Sequence, residues 1–165
     1  AMAAPTSVLH FTDELLGKLK DSTVFVTHHV GVGTFQPVRI EAIEEHKMGR
    51  EYYKVPAGTW NAIFEARQGS RKILAVGTTT TRALESLSIE GPTHRAVSGW
   101  SETFIYPGHR FKNIDQLLTN FHLPRSTLFL LVCAFAGKNL MDHAYREAVE
   151  QRYRFFSYGD AMLIL

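Results

Sequence analysis

The stretch Lys72-Ile73-Leu74-Ala75-Val76-Gly77-Thr78-Thr79-Thr80-Thr81-Arg82-Ala83-Leu84-Glu85-Ser86-Leu87 changes character at its middle. Lys72 to Val76 is a short apolar run with a β-branched end, which predicts a strand. Gly77 and Thr78 then turn straight into a helix through Arg82, Ala83, Leu84 and Leu87, with apolar residues at helical spacing. A strand that feeds a helix across one glycine is the elementary step of an α/β sheet. The fold class read from it is α/β: a mixed sheet with helices on both faces.

Working outward, the same alternation continues. Upstream, Glu51 to Val55 predicts a strand, and Pro56 starts a helix that Gly69 stops. Further back, Thr12 with Asp13 and Glu14 predicts a capped helix carrying Leu15, Leu16 and Leu19. Thr23 to Val30 and Val38 to Ile40 predict strands, with a polar turn over Glu41 to His46. Downstream, Ser88 to Gly99 is expected as a loop around Gly91-Pro92 and Thr103 to Tyr106 as a strand. Leu117 to Phe121 is a short apolar element. Pro124 opens a helix over Ser126 to Ala136 that Gly137 closes, and Leu140 to Arg152 is a second helix. Ala161 to Leu165 is all apolar, so a buried strand is expected there. No linker divides the chain, so residues 1–165 are expected as one domain.

The chain has 165 residues, 45% hydrophobic and 12% aromatic, enough for a core and too apolar for disorder. The single cysteine, Cys133, excludes an internal disulfide framework and a zinc ribbon. The longest apolar run, Leu128 to Ala136, is far short of the ~20 residues that cross a bilayer, so no membrane partner is expected. The opening Ala-Met-Ala-Ala-Pro-Thr lacks a signal-peptide pattern, which gives a cytoplasmic expectation. Eighteen Lys and Arg against sixteen Asp and Glu leave a formal charge of only +2. A nucleic-acid contact must then rest on a local face, and His109 to Arg125, with Arg110, Lys112 and Arg125, is the candidate.

Each motif has a plain and a functional meaning. Gly31-x-Gly33 follows a strand, but a dinucleotide fingerprint needs a third glycine where Gln36 stands. The pair still allows close backbone approach to a ligand. Gly137-Lys138 fails as a P-loop, since Val132 replaces the required glycine. At Gly77-Thr78-Thr79, a helix start offers N–H groups to a carboxylate or phosphate, with Arg82 as a further donor. Plain capping by Thr78 or Thr79, with Arg82 paired to Glu85, fits equally well. His28 and His29 are adjacent on a strand, so they face opposite ways. No metal-ligand spacing exists, so no metal is expected. Asn120-Phe121-His122-Leu123-Pro124 joins an apolar element to a helix, where α/β sheets present ligand sites. His122 could exchange protons there, or Asn120 could simply hold the turn's backbone.

Taken together, the segments resemble the S-adenosylmethionine:tRNA ribosyltransferase-isomerase family of queuosine biosynthesis. The residues that carry the resemblance include Leu9-His10-Phe11-Thr12, His29 to Phe35, Glu51-Tyr52-Tyr53, Ala75 to Thr79, Phe104 to Gly108, Thr119 to Thr127 and Arg152 to Leu165. His28 stands where the family usually has an aliphatic residue. Family members are roughly twice as long, and this chain resembles their C-terminal half, the α/β domain without its inserted small β-barrel.

The resemblance implies that the ribosyl part of S-adenosylmethionine moves onto the aminomethyl group of 7-aminomethyl-7-deazaguanine at the tRNA wobble position. Adenine and methionine leave, and epoxyqueuosine forms. It implies S-adenosylmethionine as co-substrate, tRNA as partner, no metal, and a monomer. The sulfonium acidifies the C5′ hydrogens, which calls for a base, and departing adenine needs a proton. His122, Asp160 and His29 are the candidates for proton work, with Glu85 behind them. Gly31, Gly33, Thr34, Thr78, Thr79 and Arg82 are the candidates for binding the co-substrate, with Tyr106 and Phe121 offering aromatic faces to the sulfonium. The other function classes carried forward are a tRNA- or S-adenosylmethionine-binding module that is inactive alone, and a histidine-based metal hydrolase, which the ligand spacing disfavours.

Overall fold

A computed structural model describes residues 6–31 and 43–165. The expected strand over Val38 to Ile40, and the candidates Gly33 and Thr34, lie outside the described residues. Among the described residues, six strands form two three-stranded sheets. One is antiparallel, in the order β1 (Thr27–His29), β2 (Glu51–Val55), β4 (Val97–Ser101). The other is the expected mixed sheet, with β5 (Gln116–Asn120) between β3 (Leu74–Val76) and β6 (Ala161–Ile164). In it β3 and β5 run parallel and β6 runs antiparallel to β5.

Among the described residues, five α-helices accompany the sheets: α1 (Asp13–Leu19), α2 (Ala57–Gln68), α3 (Thr78–Glu85), α4 (Thr127–Ala136) and α5 (Lys138–Glu150). Their ends follow from side-chain chemistry. Thr12 Oγ1 accepts from Leu15 N at 3.2 Å, and Ser126 Oγ accepts from Phe129 N at 3.1 Å. Both are N-caps that satisfy an otherwise orphaned amide. α4 and α5 form a hairpin through Gly137 alone, at φ 88° and ψ 141°, a conformation essentially restricted to glycine. On α5, Met141, Tyr145 and Ala148 recur at helical spacing and are buried. They join Leu117, Leu131, Val132, Ile105, Val55, Ile63 and Leu84 in one core.

The structure corrects three expectations. First, the region read as a loop holds a strand. β4 pairs with β2 along its whole length, Val55 opposite Val97 and Glu51 opposite Ser101. Ser98 and Gly99 have low strand propensity and hid it, but Tyr53 lies against Gly99, where an added Cβ would meet the Tyr53 hydroxyl at 2.8 Å. Second, Thr103 to Tyr106 makes no ladder. Its alternation reflects the burial of Ile105 and a row of rings, Phe104 lying 4.9 Å from His46 and 5.1 Å from Tyr106. Gly69 ends α2 as its C-cap, as expected, and the left-handed residue that follows is Ser70, at φ 52°, with Arg71 N bonded to Ala66 O and Ser70 N to Arg67 O. Arg152 ends α5 in the same left-handed way, at φ 60°. Third, the terminal strand is buried on one side only. Ile164 faces the core, while Leu163 is 53% exposed, because β6 is an edge strand with one covered face.

Candidate functional site

The strand-to-helix turn that decides the fold also organises the site. Gly77 sits at φ 90° and ψ 147°, its N–H bonded to Leu118 O of β5 at 2.7 Å. α3 starts beside it with no side-chain cap from Gly77, and neither Thr78 nor Thr79 caps it. The first turn therefore presents amides and the positive end of the helix dipole. This point lies at the C-terminal end of the parallel pair β3 and β5, where α/β sheets receive ligands.

One flank of the turn is the mixed sheet. Ser7 packs against Gly77, and Ser7 Oγ donates to Asn120 Oδ1 at 2.8 Å. Asn120 is buried, and its amide nitrogen reaches the carbonyls of Phe156, Ser157 and Gly159 at 3.2–3.3 Å. Asn120 thus holds the turn's backbone, as one of the two sequence readings expected. Next to it, His122 is half-buried, with Nε2 3.0 Å from Thr119 Oγ1 and its backbone N–H donating to the Tyr145 hydroxyl. Burial pushes the His122 pKa down to about 4, so its ring is neutral at pH 7. Burial pushes the Tyr145 phenol up to about 12, against the opposing hydrogen bond from His122. Asp160 reaches the same end of the sheet, its carbonyl accepting from Phe121 N at 3.4 Å. Its carboxylate accepts from the Arg154 guanidinium and the Arg154 N–H, both at 2.7 Å. Those bonds hold the Asp160 pKa below the usual carboxylate range.

The other flank is a buried ionic cluster that the sequence reading missed. Glu51, on β2, has its side chain only 2% exposed. One carboxylate oxygen accepts from Gly31 N at 2.8 Å. The other lies 2.7 Å from an Arg82 terminal nitrogen and 2.9 Å from His28 Nε2. His28 Nδ1 sits 3.0 Å from Thr79 O, and Arg82 Nε donates to Thr103 O at 3.3 Å. Burial lowers the Arg82 pKa, and Glu51 opposes that shift. A carboxylate thus ties Gly31, the first sheet and helix α3 together. The available signal was alternation. In Glu51-Tyr52-Tyr53-Lys54-Val55 the glutamate shares a face with fully buried Val55, a poor place for a charge without partners.

Several candidates are therefore placed differently from their expected roles. Arg82 pairs with Glu51 and does not turn to the helix start, nor to Glu85. Glu85 instead accepts from the N–H groups of Lys112 and Asn113 at 2.9 Å, with His109 Nε2 at 3.4 Å. Phe121 is 6% exposed, its ring packed among Tyr145, Tyr153 and Phe155, so the core already occupies it. Tyr106 is half-buried beside Phe104. His28 faces inward to Glu51, and His29 faces the opposite side of β1 with its ring 5.7 Å from Tyr52. Arg110, Lys112 and Arg125 are exposed. Lys112 also lines a cleft of ≈ 290 Å³ with Arg67, Arg71 and Lys72, cations far away in sequence that the reading of His109 to Arg125 did not include. Among the described residues, no three His, Cys, Asp or Glu side chains are grouped to hold a metal ion. Cys133 is buried, which raises its thiol pKa.

Residues 1–164 match the model of a family described as queuosine biosynthesis protein. The chain belongs to that family. The S-adenosylmethionine:tRNA ribosyltransferase-isomerase of Halothermothrix orenii is 54% identical over 100% of this chain and 49% of its own length. The protein of the same name from Thermotoga maritima is 54% identical over 100% of this chain and 50% of its own. A crystal structure of S-adenosylmethionine tRNA ribosyltransferase from Thermotoga maritima superposes with a TM-score of 0.77 at 48% identity, covering 96% of this chain and 51% of that one. This member of the queuosine biosynthesis family thus spans about half the length of the curated relatives it matches. No described helix is long and apolar enough to cross a membrane.

Proposed function

We propose that this chain is the C-terminal, co-substrate-binding part of an S-adenosylmethionine:tRNA ribosyltransferase-isomerase, one domain acting on tRNA in the cytoplasm. In this reading the ribosyl moiety of S-adenosylmethionine passes to the aminomethyl nitrogen of 7-aminomethyl-7-deazaguanine at the wobble position, with loss of adenine and methionine. The observation that carries the reading is similarity along the whole chain to proteins of that name.

The geometry supports roles for particular residues. The uncapped start of α3 at Thr78 and Thr79 suits the methionine carboxylate, because free amides and the helix dipole both favour an anion. Gly31, whose N–H is held by Glu51, would bring backbone close to the ribose, with Gly33 and Thr34 following in the chain. Tyr106 remains the aromatic face proposed for the sulfonium. His122 and Asp160 are acceptors at neutral pH: the first is a neutral ring, the second an ionised carboxylate. Either could take a C5′ proton, and a general acid at the other end of the co-substrate would protonate the departing adenine. Arg110, Lys112 and Arg125, joined by Arg67, Arg71 and Lys72 around the cleft, would contact tRNA phosphates. No step needs a metal.

A second reading is favoured by one fact, that the chain covers half of its relatives' length: it is a binding module, inactive alone. One experiment decides between them. The chain is incubated with S-adenosylmethionine and tRNA bearing the 7-deazaguanine, alone and beside a full-length relative, and adenine release is followed. Release by both supports the enzyme reading. Release by the relative only, with binding by both, supports the module. Neither release nor binding by this chain sinks both.

A further inference from the structure

The antiparallel sheet has two unlike faces. Its inner face carries His28, Glu51, Tyr53, Val55 and Ser101. On its outer face, the register puts His29 opposite Tyr52 and Tyr52 opposite Trp100, so the three rings form a row across all three strands. Their centroids are 5.7 Å and 5.6 Å apart. Trp100 is 58% exposed, large for the most apolar-faced side chain of the set. Along β2 the same face reads Arg50, Tyr52, Lys54, an aromatic ring between two cations. The Arg50 guanidinium lies 5.4 Å from the Trp100 ring centroid, and its Nε is 3.1 Å from Glu102. Lys54 is exposed.

We propose that this outer face is a stacking platform for unpaired bases of an RNA strand, with Tyr52 and Trp100 against the bases and Arg50 and Lys54 against the phosphates. The inference rests on the reading of tRNA as substrate and names a surface for its single-stranded loop. The chemistry is specific. Every base has a π-face, so exposed aromatic rings bind single strands with little sequence preference, and flanking cations follow the backbone. RNA loops are the places where bases are unstacked and available to such rings. A duplex hides its base faces and should gain from the cations alone. An apolar protein partner would not call for Arg50 and Lys54 around the rings. A purely structural row would also stabilise the sheet, but by cross-strand contacts that need no exposed tryptophan.

The test uses this chain with a fluorescent single-stranded oligoribonucleotide, the same sequence as a duplex, and tRNA. The second tryptophan, Trp60, is buried with its indole N–H on Gly91 O, so Trp100 dominates quenching by a soluble quencher. The single strand should protect Trp100 from the quencher, and the duplex should not. Trp100→Ala should weaken single-strand and tRNA binding by about 5- to 150-fold, with Trp100→Phe restoring most of it. Arg50→Gln should lower the salt dependence of binding, and Trp100→Ala should leave that dependence unchanged. Far-ultraviolet circular dichroism confirms that each variant folds. Equal affinity of parent and Trp100→Ala for tRNA would overturn the platform while leaving tRNA as substrate intact. Absence of any RNA binding by the parent would overturn both. Protection of Trp100 by an added N-terminal half of a relative, with RNA affinity unmoved by Trp100→Ala, would assign the face to a contact between halves and overturn the platform.

Discussion

Replacing Glu51 by Gln should unfold this protein far more readily than replacing any exposed charge. The carboxylate lies 2.7 Å from Arg82 and 2.9 Å from His28, all three side chains at most 3% exposed. At an effective dielectric of about 20, a pair of unit charges at that shorter distance attracts by ~6 kcal/mol gross. Desolvation offsets much of that attraction, so the net worth of the intact cluster is modest. Breaking it is different. Glutamine keeps the shape and can still accept from Gly31 N, but it leaves the Arg82 charge buried without its carboxylate. The expected cost is about 3–5 kcal/mol. For a domain of this size that lowers Tm by roughly 6–20 °C. Urea denaturation of the parent, Glu51→Gln, Arg82→Met and the double variant would measure it, and the double variant should recover ~1–3 kcal/mol relative to the sum of the singles. Because the cluster is buried, the loss should persist in high salt. A Glu51→Gln protein within about 1 kcal/mol of the parent would refute the argument.

His122 should impose a pH dependence on stability. Its folded pKa of about 4 lies below the ordinary histidine value of 6.5. The unfolded chain therefore binds the proton first, and stability is full above pH 6.5 and falls between pH 6.5 and 4, by at most about 3 kcal/mol. His122→Asn should flatten that limb in denaturation curves taken across pH. Ser70→Gly and Arg152→Gly should each stabilise by about 0.5–1 kcal/mol, since both positions are left-handed helix ends; lower urea midpoints would count against the assignment. On β6, Leu163→Ser should change stability by less than ~0.5 kcal/mol, while Ile164→Ala costs roughly 2–4. Equal effects at the two sites would contradict the one-sided burial.

Helices and strands with strong local signals were legible in the sequence. Thr12 and Pro124 announced helix starts, Glu51 to Val55 declared its strand, and Gly77 marked the strand-to-helix turn. What stayed hidden depends on partners distant along the chain. β4 is a strand because Gly99 leaves room for Tyr53, a fact about two segments at once. Arg82 was visible as a cation, but its partner is 31 positions away on another sheet. The cleft brings Lys112 to Arg67, Arg71 and Lys72 through long-range contacts such as the bond Arg67 donates to Asn113 Oδ1 at 3.0 Å. Local pattern locates elements. Ion pairs and surface clusters are settled by how elements meet.

Strand β2 alternates Glu51, Tyr53 and Val55 on the inner face with Tyr52 and Lys54 on the outer face, and this has a consequence for insertions and deletions. Side chains alternate along a strand, so a slip of one residue exchanges the two sets. Glu51 would then face solvent, while Tyr52 and Lys54 would turn inward, burying the Lys54 ammonium and leaving Arg82 and His28 without their carboxylate. No relaxation of neighbouring rotamers repairs that. A single-residue insertion or deletion inside 51–55 should therefore be lethal to the fold. The same change at His94, an exposed residue of the loop before β4, alters no strand pairing and should be absorbed.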